Sequence, residues 1–356
     1  MGPTVLQAHG DMPRPAASAE YRGVTMTARF SDPQAEFAAL RSNCGVYDLG
    51  YRAKISLTGG DRVRWLNGMV TNNIRDLATG QGVYTFLLNP QGHILGDLYA
   101  YNRGESIVVD AEHSQIEKIL ATFDHYIIMD DVEVANISDQ LSAIGLAGPN
   151  AGSVLKAAGF EVPELKTLQI ADLPWQQTNV SIVRGESVSF PSYEIWVAPE
   201  HAASVRETLQ RSGAVPVGPE ALELYRIALG IPVYGKDIRE RDLPQETEQQ
   251  RALNFNKGCY VGQEIVERIR SRGAVHRKFT GFTVTGAAPA PGTKIQAQAK
   301  DVGEITSSAV IPSPDGEHTV ALGYIRREVG VPGKEVEIAG SRAVVADLPF
   351  HDLLTR

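Results

Sequence analysis

The stretch from Asn256 to Lys278, NKGCYVGQEIVERIRSRGAVHRK, constrains this 356-residue chain more than any other. Lys257-Gly258 and Gly262 punctuate a short turn that carries Cys259 and Tyr260, and Ile265, Val266 and Ile269 then recur at helical spacing. The pattern predicts a loop that feeds a short amphipathic helix. Open amide hydrogens and the positive dipole end at a helix start favour an anion, and Lys257 two residues away adds to that, so one reading of Cys259 is a thiolate. The other is a small buried hydrophobe, the usual fate of a lone cysteine. Gln263 and Glu264 either orient the loop through side-chain hydrogen bonds or are ordinary first-turn residues.

With 43% hydrophobic and 21% charged residues the chain can bury an ample core, in two or three domains. It shows no run near the roughly 20 apolar residues that a membrane span needs, and no signal-peptide pattern. The expectation is a soluble cytoplasmic protein with no membrane contact. Two cysteines, Cys44 and Cys259, suggest reduced thiols, and there is no structural zinc pattern. A net charge of -8 opposes general nucleic-acid binding. Arg268, Arg270, Arg272, His276, Arg277 and Lys278 still form a local basic cluster, which is a solvated face, a site for a defined anion or a dock for an acidic partner.

Residues 1–20 lack periodicity and read as a disordered tail. Asp32-Pro33 caps and starts a helix, and Asn89-Pro90-Gln91-Gly92 is a turn between strands at Tyr84–Leu88 and Ile94–Tyr101. Ile116, Ile119, Leu120 and Phe123 make one face of a helix. From Leu141 a similar order of strand, helix and hairpin begins again, which allows an internal duplication although no sequence repeat is clear. After Phe279 short strands alternate with Gly and Pro, the spacing of a small β-barrel. The fold class expected is therefore α+β, with one α+β unit over 21–139, a second over 140–278 that ends in the KGCYVGQE loop and helix, and a C-terminal β-barrel over 279–356.

KGCYVGQE, followed by the Arg-Gly-x-Val-x-Arg spacing of Arg272 to Arg277, resembles the signature of the YgfZ family of folate-binding proteins. That family is similar to the glycine cleavage T-protein (aminomethyltransferase) superfamily, and the likeness runs from Tyr21 through nearly the whole chain. The resemblance implies two related α+β units around a central folate-binding opening, with tetrahydrofolate or a folate derivative as cofactor. It also implies an accessory role in iron-sulfur cluster assembly or repair that sustains radical-SAM tRNA-modifying enzymes, with iron-sulfur client enzymes or assembly proteins as partners. A monomer is the family-like expectation.

Matched position by position, the resemblance places Asp97 beside the reacting nitrogens of tetrahydrofolate, Glu194 on the pterin and Tyr84 in the pocket wall. Asn72 stands at the Val-Thr-Asn turn, and Arg226 clamps a carboxylate of the glutamyl tail. Cys259 becomes a nucleophile, a redox thiol or a transient ligand, within the signature loop of Lys257, Gly258, Cys259, Tyr260, Gly262, Gln263 and Glu264. The residue chemistry runs alongside. Asp97 and Glu194 each lie among apolar neighbours in a strand, where a charge needs a partner, a ligand or solvent. A carboxylate matches the two parallel N–H donors of a pterin. Tyr84 is equally a core tyrosine and Arg226 equally half of a structural ion pair. One cysteine cannot hold a cluster alone. Two other functions stand beside the accessory role: a tetrahydrofolate-dependent aminomethyltransferase, which Asp97 favours and which Gly96 and Ala228, each at a position acidic in those enzymes, oppose; and a folate-binding scaffold without catalysis.

Overall fold

The computed structural model describes residues 17–187, 189–273 and 275–355, with the side chains of Ala17, Arg272 and Thr355 left aside. The expected N-terminal tail lies outside the described residues up to residue 16. Its last residues are not tail: β1 (Ala17–Tyr21) pairs antiparallel with β2 (Val24–Arg29). Helix α1 (Pro33–Ser42) begins as its sequence dictates, with the Asp32 side chain accepting from the Gln34 amide and Pro33 in the first turn. Buried Glu36 then accepts the amides of Phe30, Ser31 and Gly218.

Two successive runs of chain share one topology. The first is β4 (Arg52–Thr58), α2 (Arg62–Met69), β5 (Gly82–Leu88), β6 (Ile94–Asn102), β7 (Ile107–Glu112), α3 (Ile116–Tyr126) and β8 (Glu133–Asn136), after β3 (Gly45–Asp48). The second is β9 (Ser142–Ala147), α4 (Ala151–Ala157), β10 (Ile170–Trp175), β11 (Thr178–Arg184), β12 (Ser192–Val197), α5 (Pro199–Arg211) and β13 (Val215–Pro216). Their sheets read β5-β6-β7-β4-β8 and β10-β11-β12-β9-β3-β13, the same order once β3 is set aside. The duplication is thus written in the topology. Strand β3, which lies in the first α+β unit by sequence, departs from that unit by pairing with β9 and β13 in the second sheet. Strands β10 and β11 pair antiparallel as the hairpin expected after Leu141.

After α6 (Pro219–Ala228) and α7 (Gln263–Arg272), strands β14 (Arg277–Val284), β15 (Lys294–Ala297), β16 (Lys300–Ser313), β17 (Gly316–Arg326), β18 (Glu335–Ile338) and β19 (Ser341–Ala346) close a barrel in the order β14-β17-β16-β15-β18-β19. Its core holds Phe282, Ile295, Ile305, Ile325 and Ile338, none with any exposed surface. Each such side chain contributes roughly 1.5–3 kcal/mol on burial. A short helix, α8 (His351–Thr355), ends the described chain.

By contact density the chain forms two compact units. One holds the chain up to Gly68, Asn72–Thr85 and Leu98–Leu222; the other holds Met69–Thr71, Phe86–Asp97 and the chain from Glu223 onward. The bodies of both sheets therefore belong to the first unit, and the tip of the β5–β6 hairpin, α7 and the barrel to the second.

Candidate functional site

In the first unit the strongest chemical feature is a cluster of charges built from matching rows of the two sheets. Across the first sheet the register aligns Tyr99 on β6, Asp110 on β7 and Lys54 on β4. Direct partners in neighbouring strands point to one face, so these three side chains stand together. Lys54 and Asp110 have no exposed surface, and the Lys54 ammonium donates to Asp110 Oδ1 at 3.0 Å. Arg52 donates to the same oxygen at 3.0 Å and to the Asp110 carbonyl at 3.2 Å. Burial works against the Asp110 charge, but Arg52 and Lys54 outweigh it and hold the carboxyl below its usual range.

The matching row of the second sheet holds Val183 on β11, Glu194 on β12 and Gly145 on β9, with Tyr47 of β3 beyond. Glu194 is half-buried, and its Oε2 accepts the Trp196 indole N–H at 2.9 Å. Its Oε1 accepts no hydrogen bond among the described residues. Burial, then the Asp110 charge, push the Glu194 carboxyl up; Lys54, Arg52 and the indole pull it back. Around it runs an aromatic series. Tyr84 packs on Tyr99 with centroids 5.0 Å apart, Tyr99 stacks on Tyr101 at 6.4 Å, and Tyr101 meets Trp196 edge-on at 5.2 Å. Burial pushes the Tyr51 and Tyr101 phenols up, so both stay neutral at ordinary pH.

Tyr84 and Glu194 are thus brought into one aromatic cluster. Tyr84 itself is buried, the core placement that its sequence context allowed. Asn72 is a turn residue: its side chain donates to the Tyr84 carbonyl at 2.9 Å and accepts the Asn73 amide. Sequence reasoning missed Lys54, Asp110 and Arg52. The signal was present, since Lys54 between Ala53 and Ile55 and Asp110 between Val109 and Ala111 are charges in apolar strands, the pattern that drew attention to Asp97 and Glu194.

The second unit holds Asp97, Arg226 and the signature loop. Asp97 is half-buried on β6. It bears on the Tyr234 phenol, which donates to the Leu95 carbonyl at 2.6 Å and is pushed up to about 12 by burial, then by Asp97 and Asp242. Arg226 is 5% exposed and engaged on every side, with Asp237 at 2.6 Å, Glu223 at 2.5 and 2.9 Å, and Ser307 at 2.8 Å. Asp237 in turn accepts from Thr306 and Ser307. The structural ion pair that stood beside the expected clamp on a glutamyl tail is present, and it ties α6 to strand β16. A guanidinium has five N–H donors, and this network uses the bidentate fork that a free carboxylate would need.

Cys259 is exposed and Cys44 buried, with burial pushing the Cys44 thiol up to about 12. The expectation that Lys257 supports a thiolate meets a different arrangement: its ammonium donates to the Val70 carbonyl at 2.5 Å and lies 4.8 Å from the Tyr260 ring centre. Gln263 does orient the loop, its side-chain oxygen accepting the Tyr260 amide at 3.3 Å, whereas Glu264 is an exposed first-turn acid. Gly262 is required twice over. Its φ is +82°, and a Cβ there would stand 2.6 Å from the Asn89 carbonyl oxygen. Gly92 likewise leaves room for Ile265, so the Asn89–Gly92 turn and the start of α7 are fitted to each other. In the basic cluster Arg277 is paired with Asp242 at 2.8 Å and Glu246 at 2.9 Å, and Arg270 with Glu267 at 2.9 Å. Arg268 and His276 are exposed, and Ala274 lies outside the described residues.

A duplicated α+β sheet topology followed by a closed six-stranded barrel, with a half-open carboxylate set in aromatic rings, defines a distinct class of fold and site. The GCVT N-terminal domain family matches residues 8–257, and the glycine cleavage T-protein C-terminal barrel domain matches residues 277–352. The chain belongs to the glycine cleavage T-protein family. It is 29% identical to an aminomethyltransferase of Halothermothrix orenii, over 93% of this chain and 95% of that protein. It is 26% identical to a putative chloroplastic transferase of Arabidopsis thaliana, over 86% of this chain and 71% of that protein. Its fold matches the crystal structure of glycine cleavage system aminomethyltransferase T from Bartonella henselae with a TM-score of 0.84, at 24% identity and 94% coverage of each chain. Among the described residues no helix is long and apolar enough to cross a membrane.

Proposed function

We propose that the protein binds tetrahydrofolate or a close derivative, with Glu194 as the acceptor for the pterin. The observation that carries this is Glu194 itself: a half-buried carboxylate with one oxygen held by Trp196, the other open, and aromatic rings on its flank. The 2-amino group and N3–H of a pterin present two parallel donors, which a carboxylate accepts together. Bound folate supplies the nitrogens that carry a one-carbon unit. Glu194 orients the ring by accepting its donors.

Two finer readings divide what that binding serves. The relatives favour the tetrahydrofolate-dependent aminomethyltransferase reading, since a protein named aminomethyltransferase aligns over 93% of this chain. The KGCYVGQE loop favours a YgfZ-like accessory role in iron-sulfur cluster assembly or repair, because its Cys259 is exposed rather than packed as a core residue. Gly96 and Ala228, at positions where the resemblance to aminomethyltransferases implies acids, weigh on the same side.

Titration calorimetry with tetrahydrofolate tests the binding: wild type binds, and Glu194→Ala binds at least about tenfold more weakly, the cost of leaving ligand donors unpaired. Unaltered binding by Glu194→Ala would remove Glu194 from the site. Folate-dependent release of one-carbon units from a methylamine donor supports the transferase. Loss of iron-sulfur enzyme activity in cells carrying only Cys259→Ser supports the accessory role.

A further inference from the structure

Four charges meet at the Asp110 and Glu194 rows, three from the rows themselves and Arg52 from the neighbouring register position. Arg52 and Lys54 supply two cations, and Asp110 and Glu194 two anions, so the cluster balances when all four are ionised. Arg52 is turned to Asp110, through both its side chain and its carbonyl. Lys54 faces both ways. Its ammonium is 3.0 Å from Asp110 Oδ1 and 4.7 Å from the centre of the Trp196 ring, the ring whose N–H holds Glu194. Glu194 also acts on the phenols of Tyr51 and Tyr101, which burial keeps neutral at ordinary pH, and beyond Tyr51 stands the paired Arg22 and Glu112. Lys54 is therefore the cation whose removal leaves two carboxylates facing a single guanidinium.

We propose that Lys54 is a positioning residue, the counter-charge that keeps Glu194 an anionic acceptor at neutral pH, so that the first sheet sets the state of the second sheet's ligand-binding carboxylate. This rests on the folate reading of Glu194 for its purpose, though not for its electrostatics. With Lys54 neutral, burial and the Asp110 charge act on Glu194 with only Arg52 against them, and Glu194 takes up a proton. A protonated carboxyl has one acceptor oxygen for two ligand donors. Asp110→Asn shifts the balance the opposite way, leaving Glu194 with two cations to itself.

The test follows the Glu194 side-chain carbon by NMR between about pH 4 and about pH 9 in the full chain, assigned by its loss in Glu194→Gln. It is paired with calorimetric titration of 5-formyltetrahydrofolate across the same range. Lys54→Met should raise the Glu194 midpoint by about one pH unit or more, and Asp110→Asn should lower it. Lys54→Arg, which keeps the charge, should restore the wild-type midpoint, and serves if the Met variant does not fold. In binding, Lys54→Met should weaken folate at neutral pH and recover it as the pH rises, whereas Lys54→Met with Glu194→Gln should show no such pH dependence beyond Glu194→Gln alone. Midpoints unmoved in both Lys54→Met and Asp110→Asn would overturn the inference. Shifted midpoints in a protein that binds no folate would overturn the folate reading instead and leave the coupling standing.

Discussion

Asp110 and Glu194 stand on corresponding strands of a duplicated topology, each beside the strand that opens its own repeat. Opposite Asp110 is Lys54; opposite Glu194 is Gly145, whose missing side chain makes way for the Tyr47 ring. Asp110 is fully buried and takes both its cations on Oδ1, leaving Oδ2 without a hydrogen bond, while half-buried Glu194 meets no cation within hydrogen-bond reach among the described residues and holds only the Trp196 indole, through Oε2. The difference teaches how a duplicated scaffold divides labour. The strand beside each opening strand carries a carboxylate paired with two cations in one copy and a carboxylate facing a glycine in the other.

The largest expected effect comes from breaking the brace. Lys54→Ala leaves a fully buried carboxylate with Arg52 alone and should cost roughly 3–5 kcal/mol of stability, measured by urea unfolding. Gly145→Ala attacks the other copy through shape: a Cβ there would stand 2.0 Å from the Tyr47 ring, and overpacking of this kind costs about 1–3 kcal/mol. Glu194→Gln should alter stability by less than about 1 kcal/mol, because the half-open side chain gives up one indole hydrogen bond that an amide oxygen can also accept.

The two carboxylates also have opposite signs in acid. Asp110 is held below its unfolded value, so its contribution is complete above about pH 4 and is lost as the pH falls through the folded value. Glu194 is raised, so the folded protein binds its proton first and gains relative stability as the pH falls through that raised value. Urea midpoints of Glu194→Gln against wild type, measured from neutral to acid pH, should therefore diverge in the direction that favours wild type at lower pH.

The barrel, the amphipathic α7 and the Asn89–Gly92 turn were legible in the sequence because each is a local grammar of periodicity and turn residues. The duplication was visible only as an order of elements. That β3 pairs with β9 and β13 in the second sheet is not legible in the sequence, because pairing between distant segments leaves no local mark. Glu194 stands out as a charge in an apolar strand, but the residue opposite it, Gly145 where Asp110 faces Lys54, is set by register, a tertiary property. Arg226 shows the same limit: its partners Asp237 and Ser307 lie 11 and 81 residues away.

The most direct measurement is tetrahydrofolate binding by titration calorimetry to wild type, Glu194→Gln and Asp110→Asn at neutral pH. The open-carboxylate account predicts clear binding by wild type, a loss of at least about tenfold in Glu194→Gln and retained binding in folded Asp110→Asn. Equal affinity in wild type and Glu194→Gln, or a loss confined to Asp110→Asn, would contradict it.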